Sequence, residues 1–241
     1  MTVIRTLAQA TAWVDEVGLA LVFPKADAVL PSLWEQVNGS AEPNWAIREP
    51  DGTFVRWTEA MGFLWRAKDE LPGHGLVCVG KHAARVATCV APRLVPLLVA
   101  ANAEEPEGQE AAILEAVREL GPQTSPTLRE ATGLPKKEVE KTVGALHRKL
   151  LLTNSHLEEP ERGWGAIAHD ELARKWGLPE ELPPRSDARR ELTRHVLEGA
   201  GELTAADLAG LFGWPRREAA AHLESVGVGR DGGGFRIWTR R

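Results

Sequence analysis

With 241 residues, 43% of them hydrophobic, the chain is long enough for one large domain or two to three small ones with real cores. No apolar run approaches the roughly 20 residues of a membrane span, and no charged-then-apolar amino-terminal stretch resembles a signal peptide, so a cytoplasmic protein away from membranes is expected. The formal charge of −5 is adverse for a polyanionic partner, but it is uneven: residues 1–108 carry 9 Lys and Arg against 13 Asp and Glu, while residues 183–241 carry 10 against 8.

In chain order, Thr6 to Val17 places Leu7, Ala10, Val14 and Val17 on one helical face. The apolar run Leu19 to Phe23 stops at Pro24, and Leu30 to Val37 reads as a short helix opened by Pro31 or Ser32 and closed by Asn38-Gly39. Trp45 to Trp57 alternates around Asp51-Gly52, a hairpin signal. A helix from Thr58 to about Leu71 is expected next, then strands over Gly75 to Gly80 and Arg85 to Ala91 joined through Lys81-His82, and a helix from about Pro92 to Asn102. The polar stretch Ala103 to Gln109 reads as a linker.

Helices are expected at Ala111 to Leu120, Ser125 to Thr132 and Pro135 to Leu150. Two strands follow, Leu151 to Thr153 and Trp164 to Ile167, around an acidic loop from His156 to Arg162. After a short helix at Glu171 to Trp176 and the proline-rich stretch Pro179 to Asp187, the pattern returns with the numbering shifted by eighty. Thr124, Leu128, Gly133, Pro135 and Glu138 meet Thr204, Leu208, Gly213, Pro215 and Glu218, and Lys136-Lys137 meets Arg216-Arg217. A duplicated supersecondary unit is the economical reading. Helix, glycine turn, helix, then two strands is the grammar of a winged helix. The expected fold is therefore α+β and mainly helical: an amino-terminal α+β domain (1–103), for which a degenerate winged helix is one reading, then two tandem winged-helix domains (109–170 and 185–241).

In the helix from Gly133 to Leu150, Val139, Val143, Leu146 and Leu150 fall on one stripe, with Lys137, Lys141 and Arg148 almost opposite. Such a cationic face is most often simply solvated. On the third helix of a helix-turn-helix it also suits phosphates, with Arg148 in reach of a guanine edge and Gly144 and Ala145 leaving room for close approach. The second unit divides its cations differently: Arg216 and Arg217 open its last helix, and Arg230 and Arg236 lie in a basic wing that is either a solvated hairpin or a minor-groove or backbone contact.

Other chemistry is weakly signalled. Cys78 and Cys89 have no CxxC spacing and read as reduced core thiols. Gly73-His74-Gly75 and Gly80-Lys81 match neither GxxxxGK[ST] nor GxGxxG. There is no HExxH, no His and Cys at ligand spacing and no GxSxG, so neither metal nor small-molecule cofactor is expected, and no catalytic residue is assigned.

Leu30-Pro31-Ser32-Leu33-Trp34, Trp65 with Lys68-Asp69-Glu70-Leu71-Pro72, Gly80-Lys81, and Gly121-Pro122 with Thr127-Leu128-Arg129 together resemble short members of the YcaQ/AlkZ-like winged-helix family, over residues 1 to about 180. The resemblance implies a DNA-binding scaffold and, in full-length members, a glycosylase that removes alkylated or crosslinked bases through a glutamine-aliphatic-glutamine or aspartate motif. The nearest string, Gln36-Val37-Asn38, sits at an expected helix end and lacks the second catalytic-type side chain, and Cys78-Val79 stands where an aromatic pair is expected. The reading is a duplex-DNA-binding protein of DNA repair or genome maintenance, contacting phosphates through Lys136, Lys137, Lys141, Arg148, Arg216, Arg217, Arg230 and Arg236. Two alternatives stay open. A glycosylase needs a base-sized pocket lined by Trp and a carboxylate or amide, near Gln36, Asp51 or Glu70. A protein-interaction scaffold or transcriptional regulator would have its cationic helix face covered. A homodimer is compatible with each.

Overall fold

The computed structural model describes residues 3–159 and 165–226 in full, and the backbone of 229–231 and 234–236. Thr6 opens α1 (Leu7–Val17) with a capping box completed by Gln9. After β1 (Leu19–Leu21), Ser32 and Glu35 form the same device at the start of α2 (Leu33–Asn38), which Gly39 ends in the left-handed conformation. The hairpin β2 (Ala46–Arg48) and β3 (Phe54–Trp57) intervenes before α3 (Glu59–Gly73). Strands β4 (Cys78–Ala83) and β5 (Val86–Val90) complete a sheet of order β1-β5-β4.

The turn between β4 and β5 is Ala84-Arg85 rather than Lys81-His82. Both turn residues take positive φ, 52° and 59°. The reason is tertiary: His82 is buried against the next unit, so the strand must continue past it, and Ala84 N–H donates to Leu211 O at 2.7 Å. Lys81 therefore stands as the exposed residue of an otherwise buried strand.

A 3-10 turn (Pro92–Leu94) leads into α4 (Val95–Asn102), and α5 (Gln109–Leu120), β6 (Gln123–Thr124), α6 (Ser125–Thr132) and α7 (Lys136–Arg148) follow. The hairpin of β7 (Leu152–Glu158) and β8 (Ala166–Glu171) is longer than expected: His156, Leu157 and Glu158 pair with Ala168, Ile167 and Ala166 instead of lying in a loop. Then come α8 (Leu172–Trp176), α9 (Arg185–Ala200), β9 (Glu202–Leu203), α10 (Ala205–Phe212), α11 (Arg216–Ser225), β10 (Gly229–Asp231) and β11 (Gly234–Arg236).

Among the described residues, helix, strand, helix, helix, strand, strand occurs twice and, with the β2–β3 hairpin set aside, a third time in the first unit; in each three-stranded sheet the last strand in sequence lies in the middle: β1-β5-β4, β6-β8-β7 and β9-β11-β10. The turns before α7 and α11 are built alike, with Gly133 and Gly213 at φ 69° and 75° donating back to Arg129 O and Ala209 O.

The cores do not follow these three units one for one. The middle unit packs its own helices, with Ile113, Leu128, Val139, Val143, Leu146 and Leu152 buried. Part of the first unit does likewise around Trp34, Leu64 and Leu71. The other face of its sheet continues through Val95 and Leu98 of α4 into Leu192, Leu197, Leu208 and Leu223, so the first and last units share a core. Polar contacts fasten the same joint: Arg189 Nε donates to Ala101 O and His195 Nε2 to Val17 O, each at 2.9 Å, and Trp214 Nε1 donates to Asn102 Oδ1.

Candidate nucleic-acid interface

On α7 the apolar stripe of Val139, Val143, Leu146 and, just past the helix, Leu150 is buried. Lys136, Lys137, Lys141 and Arg148 are exposed. Two of them make loose ion pairs along the helix, Lys136 with Glu140 at 3.8 Å and Lys141 with Glu138 at 3.7 Å. Exposed pairs of this kind are worth a few tenths of a kcal/mol at most and do not hold the ammonium groups back from another anion. Lys137 and Arg148 have no carboxylate at ion-pair distance among the described residues.

A third flank of α7, which sequence spacing left open, is closed by β4 of the first unit. Gly144 and His147 are buried there. Gly80 has no room for a side chain: a Cβ would lie 2.3 Å from His82 Nε2 and 2.6 Å from His147 Nδ1. His82 Nδ1 donates to His147 O at 2.9 Å, and the His147 and His169 rings meet Nε2 to Nδ1 at 3.1 Å, tying β4, α7 and β8 together. Burial keeps these imidazoles neutral: it pushes His82 and His169 down to about 4, and His147 well below its ordinary value, where repulsion from any second imidazolium at His169 or His82 and from Lys81 and Arg148 adds to the effect. Among the described residues no group of three His, Cys, Asp or Glu is placed to hold a metal ion. Cys78 and Cys89 are free, and burial raises both thiols to about 12.

This joint sets Lys81 beside Arg148. A Cβ at Gly144 would sit 3.5 Å from Arg148 Nη1 and 4.0 Å from Lys81 Nζ, so both cationic groups lie over the same glycine. The room that Gly144 leaves is thus taken by two cations of the chain itself. With Arg85 they line a cleft of about 380 Å³ whose far wall is Gly210 to Gly213 of the last unit. Lys149 lies there too, but is engaged by Glu110 at 2.8 Å, and Glu104 is the other carboxylate of the lining. Sequence reasoning set Gly80-Lys81 aside for phosphate on motif spacing and put Lys81 in a turn. The signal was a lone charge inside the apolar run Cys78 to Ala83.

Arg216 and Arg217 are exposed at the start of α11. The backbone of Arg230 pairs with Phe235 and that of Arg236 with Gly229, but both side chains lie outside the described residues.

Along α3, Gly62, Trp65, Asp69 and Gly73 form one wall of a groove of about 1050 Å³, faced by His156, Leu157 and Ile167 of the β7–β8 hairpin. Trp65 is 53% exposed, Lys68 Nζ lies 4.3 Å from its ring centre, and the same ammonium meets the buried Asp69 carboxylate at 2.5 Å. Glu70 also lines this groove. Gln36 lines none of the described pockets, and the Asn38 side-chain amide is used locally, donating to Ser40 O and Glu42 O at 3.2 and 3.3 Å.

The chain is a mixed α+β protein with exposed cations on one helix and at a joint between units. Comparison with known families is more specific: the family model described as DNA glycosylase AlkZ-like matches residues 78–233, and the chain belongs to that AlkZ-like family. Membership connects it with DNA and, at a coarse level, with DNA repair. The match starts at β4, so the Leu30 to Trp34 and Lys68 to Pro72 strings and Gln36-Val37-Asn38 lie before it. It also extends past residue 180, where the sequence resemblance ended. No curated protein and no solved structure matches the chain. Among the described residues no helix is long and apolar enough to cross a membrane.

Proposed function

We propose that the chain is a winged-helix DNA-binding protein of DNA repair or genome maintenance that holds duplex DNA chiefly through phosphate contacts. The observation that carries this reading is α7: its core stripe is buried while Lys137, Lys141 and Arg148 remain exposed on the opposite side. Lys137 to Arg148 spans about 16 Å at the helical rise. Because β4 closes a flank of the carboxy-terminal half, that half follows the phosphate backbone rather than sinking into the major groove. The recurrent helix, strand, helix, helix, strand, strand order supports reading all three units as winged helices, the first with a hairpin inserted between its second and third helices. Arg216 and Arg217, and the wing arginines Arg230 and Arg236, extend the cationic set in the last unit.

The test is fluorescence anisotropy of a labelled random duplex over a salt series, beside the double variant Lys137→Glu/Lys141→Glu. Removing two phosphate-neutralising ammonium groups should reduce the slope of log K against log salt by about 1.8. Tight, salt-insensitive binding would overturn the phosphate contacts, and no binding at low salt would remove the proposal in favour of an interaction scaffold.

A second reading, a glycosylase, draws on the α3 groove, which sets an exposed Trp65 beside the carboxylates Asp69 and Glu70. An aromatic face and a carboxylate are what an extruded base would meet. Base release from an alkylated duplex, lost in Asp69→Asn and kept in Lys137→Glu at saturating protein, is the outcome that would promote it.

A further inference from the structure

Lys81 and Arg148 come from different units, yet both reach over Gly144. Neither has a carboxylate at ion-pair distance among the described residues. Two like charges held together repel, and a rigid frame enforces the arrangement here: Gly80 admits no side chain, and His82 is hydrogen-bonded to the His147 carbonyl. The positive field is felt inside the protein as well, since Lys81 and Arg148 both help to keep His147 neutral. Arg85, on a positive-φ turn pinned by Leu211 O and by Lys25 Nζ on Ala84 O, adds a third cation to the same cleft. The carboxylates there do not cancel it: Glu110 is paired with Lys149, which leaves Glu104.

The geometry points to a phosphate clamp across the joint between the first and middle units, in which Lys81 and Arg148 grip one phosphate group above Gly144 with Arg85 at the mouth. It depends on the DNA-binding reading for the source of that phosphate, a backbone phosphodiester, but not for the site. Lysine supplies a point charge and arginine a planar fork, a combination suited to one tetrahedral oxyanion. The absent side chain at Gly144 is what lets the two head groups lie side by side over the helix.

The experiment compares the full chain with Lys81→Ala, Arg148→Ala and the double variant, titrated with random duplex over a salt series and, separately, with sodium pyrophosphate by calorimetry. Thermal unfolding checks that the variants fold. Each single variant should weaken duplex binding about tenfold, as removal of one charge-assisted hydrogen bond does, and lower the salt slope by about 0.9. The double variant should lose no more than the stronger single, because both cations share one phosphate. Gly144→Leu, which drives a side chain between the two head groups, should reproduce the loss with both cations present. Duplex binding with the wild-type slope in Lys81→Ala, or strictly additive losses, overturns the clamp while leaving DNA binding intact. Pyrophosphate binding lost in the variants without any duplex binding supports the clamp, names a small anion as its ligand and overturns the DNA reading instead. No binding of either ligand overturns both.

Discussion

A Cβ at Gly80 would stand 2.6 Å from Nδ1 of His147, a residue of another unit, so the first and middle units meet with no space between strand and helix. Two chain segments far apart in sequence are therefore matched to within one methyl group, and the fit has measurable consequences.

Gly80→Ala should destabilise the protein by about 1–3 kcal/mol, the usual cost of overpacking a tight interior, because His82 and His147 are both buried and neither ring has room to yield. The measurement is the urea midpoint at pH 7. An unchanged midpoint would mean that the joint opens easily.

His82 and His147, both buried, and the partly buried His169 make stability depend on acid. His82 and His169 have folded values near 4, below the ordinary 6.5, and His147 is displaced in the same direction, so the unfolded chain binds protons first. Their contribution is fully present above about pH 6.5 and is lost as pH falls from there through 4, each of the first two at a limit on the order of 3 kcal/mol. Urea denaturation from pH 7.5 to 4.5 should show this decline, with a shallower slope in His169→Gln. A midpoint that does not move over the range would contradict burial of the imidazoles.

Leu98 of α4 is 1% exposed in the core that joins the first and last units. Leu98→Ala should cost about 2–5 kcal/mol and lower the protection of backbone amides in α9 and α10 together with those in β5. Hydrogen exchange followed by mass spectrometry reads this directly, and loss confined to the first unit would show that the two cores are separate.

Trp65 is half exposed and its ring carries the Lys68 ammonium, so its removal concerns the groove more than the fold. Trp65→Ala should change stability by less than about 0.5 kcal/mol, as exposed positions usually do. If a base stacks there, affinity for a duplex with an unpaired base should fall by about 1–3 kcal/mol, while affinity for perfect duplex stays unchanged. Equal losses on both duplexes would assign Trp65 to general contact instead.

The sequence by itself determined what is local. Capping residues and left-handed glycines fix helix ends within one or two positions, which is why Ser32 and Gly39 bracket α2, and Gly133 and Gly213 turn the chain as their spacing implied. Periodicity likewise separated the buried stripe of α7 from Lys137, Lys141 and Arg148, since a side chain's direction on a helix follows from its number alone. Tertiary structure decided the rest. Whether His82 turns or continues a strand depends on His147, sixty-five residues away, and with it the placing of Lys81 beside Arg148. That α4 joins the first unit to the last depends on which apolar surface meets which, because hydrophobic burial is strong but carries no address in the local pattern. The helix that carries the cations could be read from one stretch of chain; the partner that completes its charge came from another fold unit, brought there by packing.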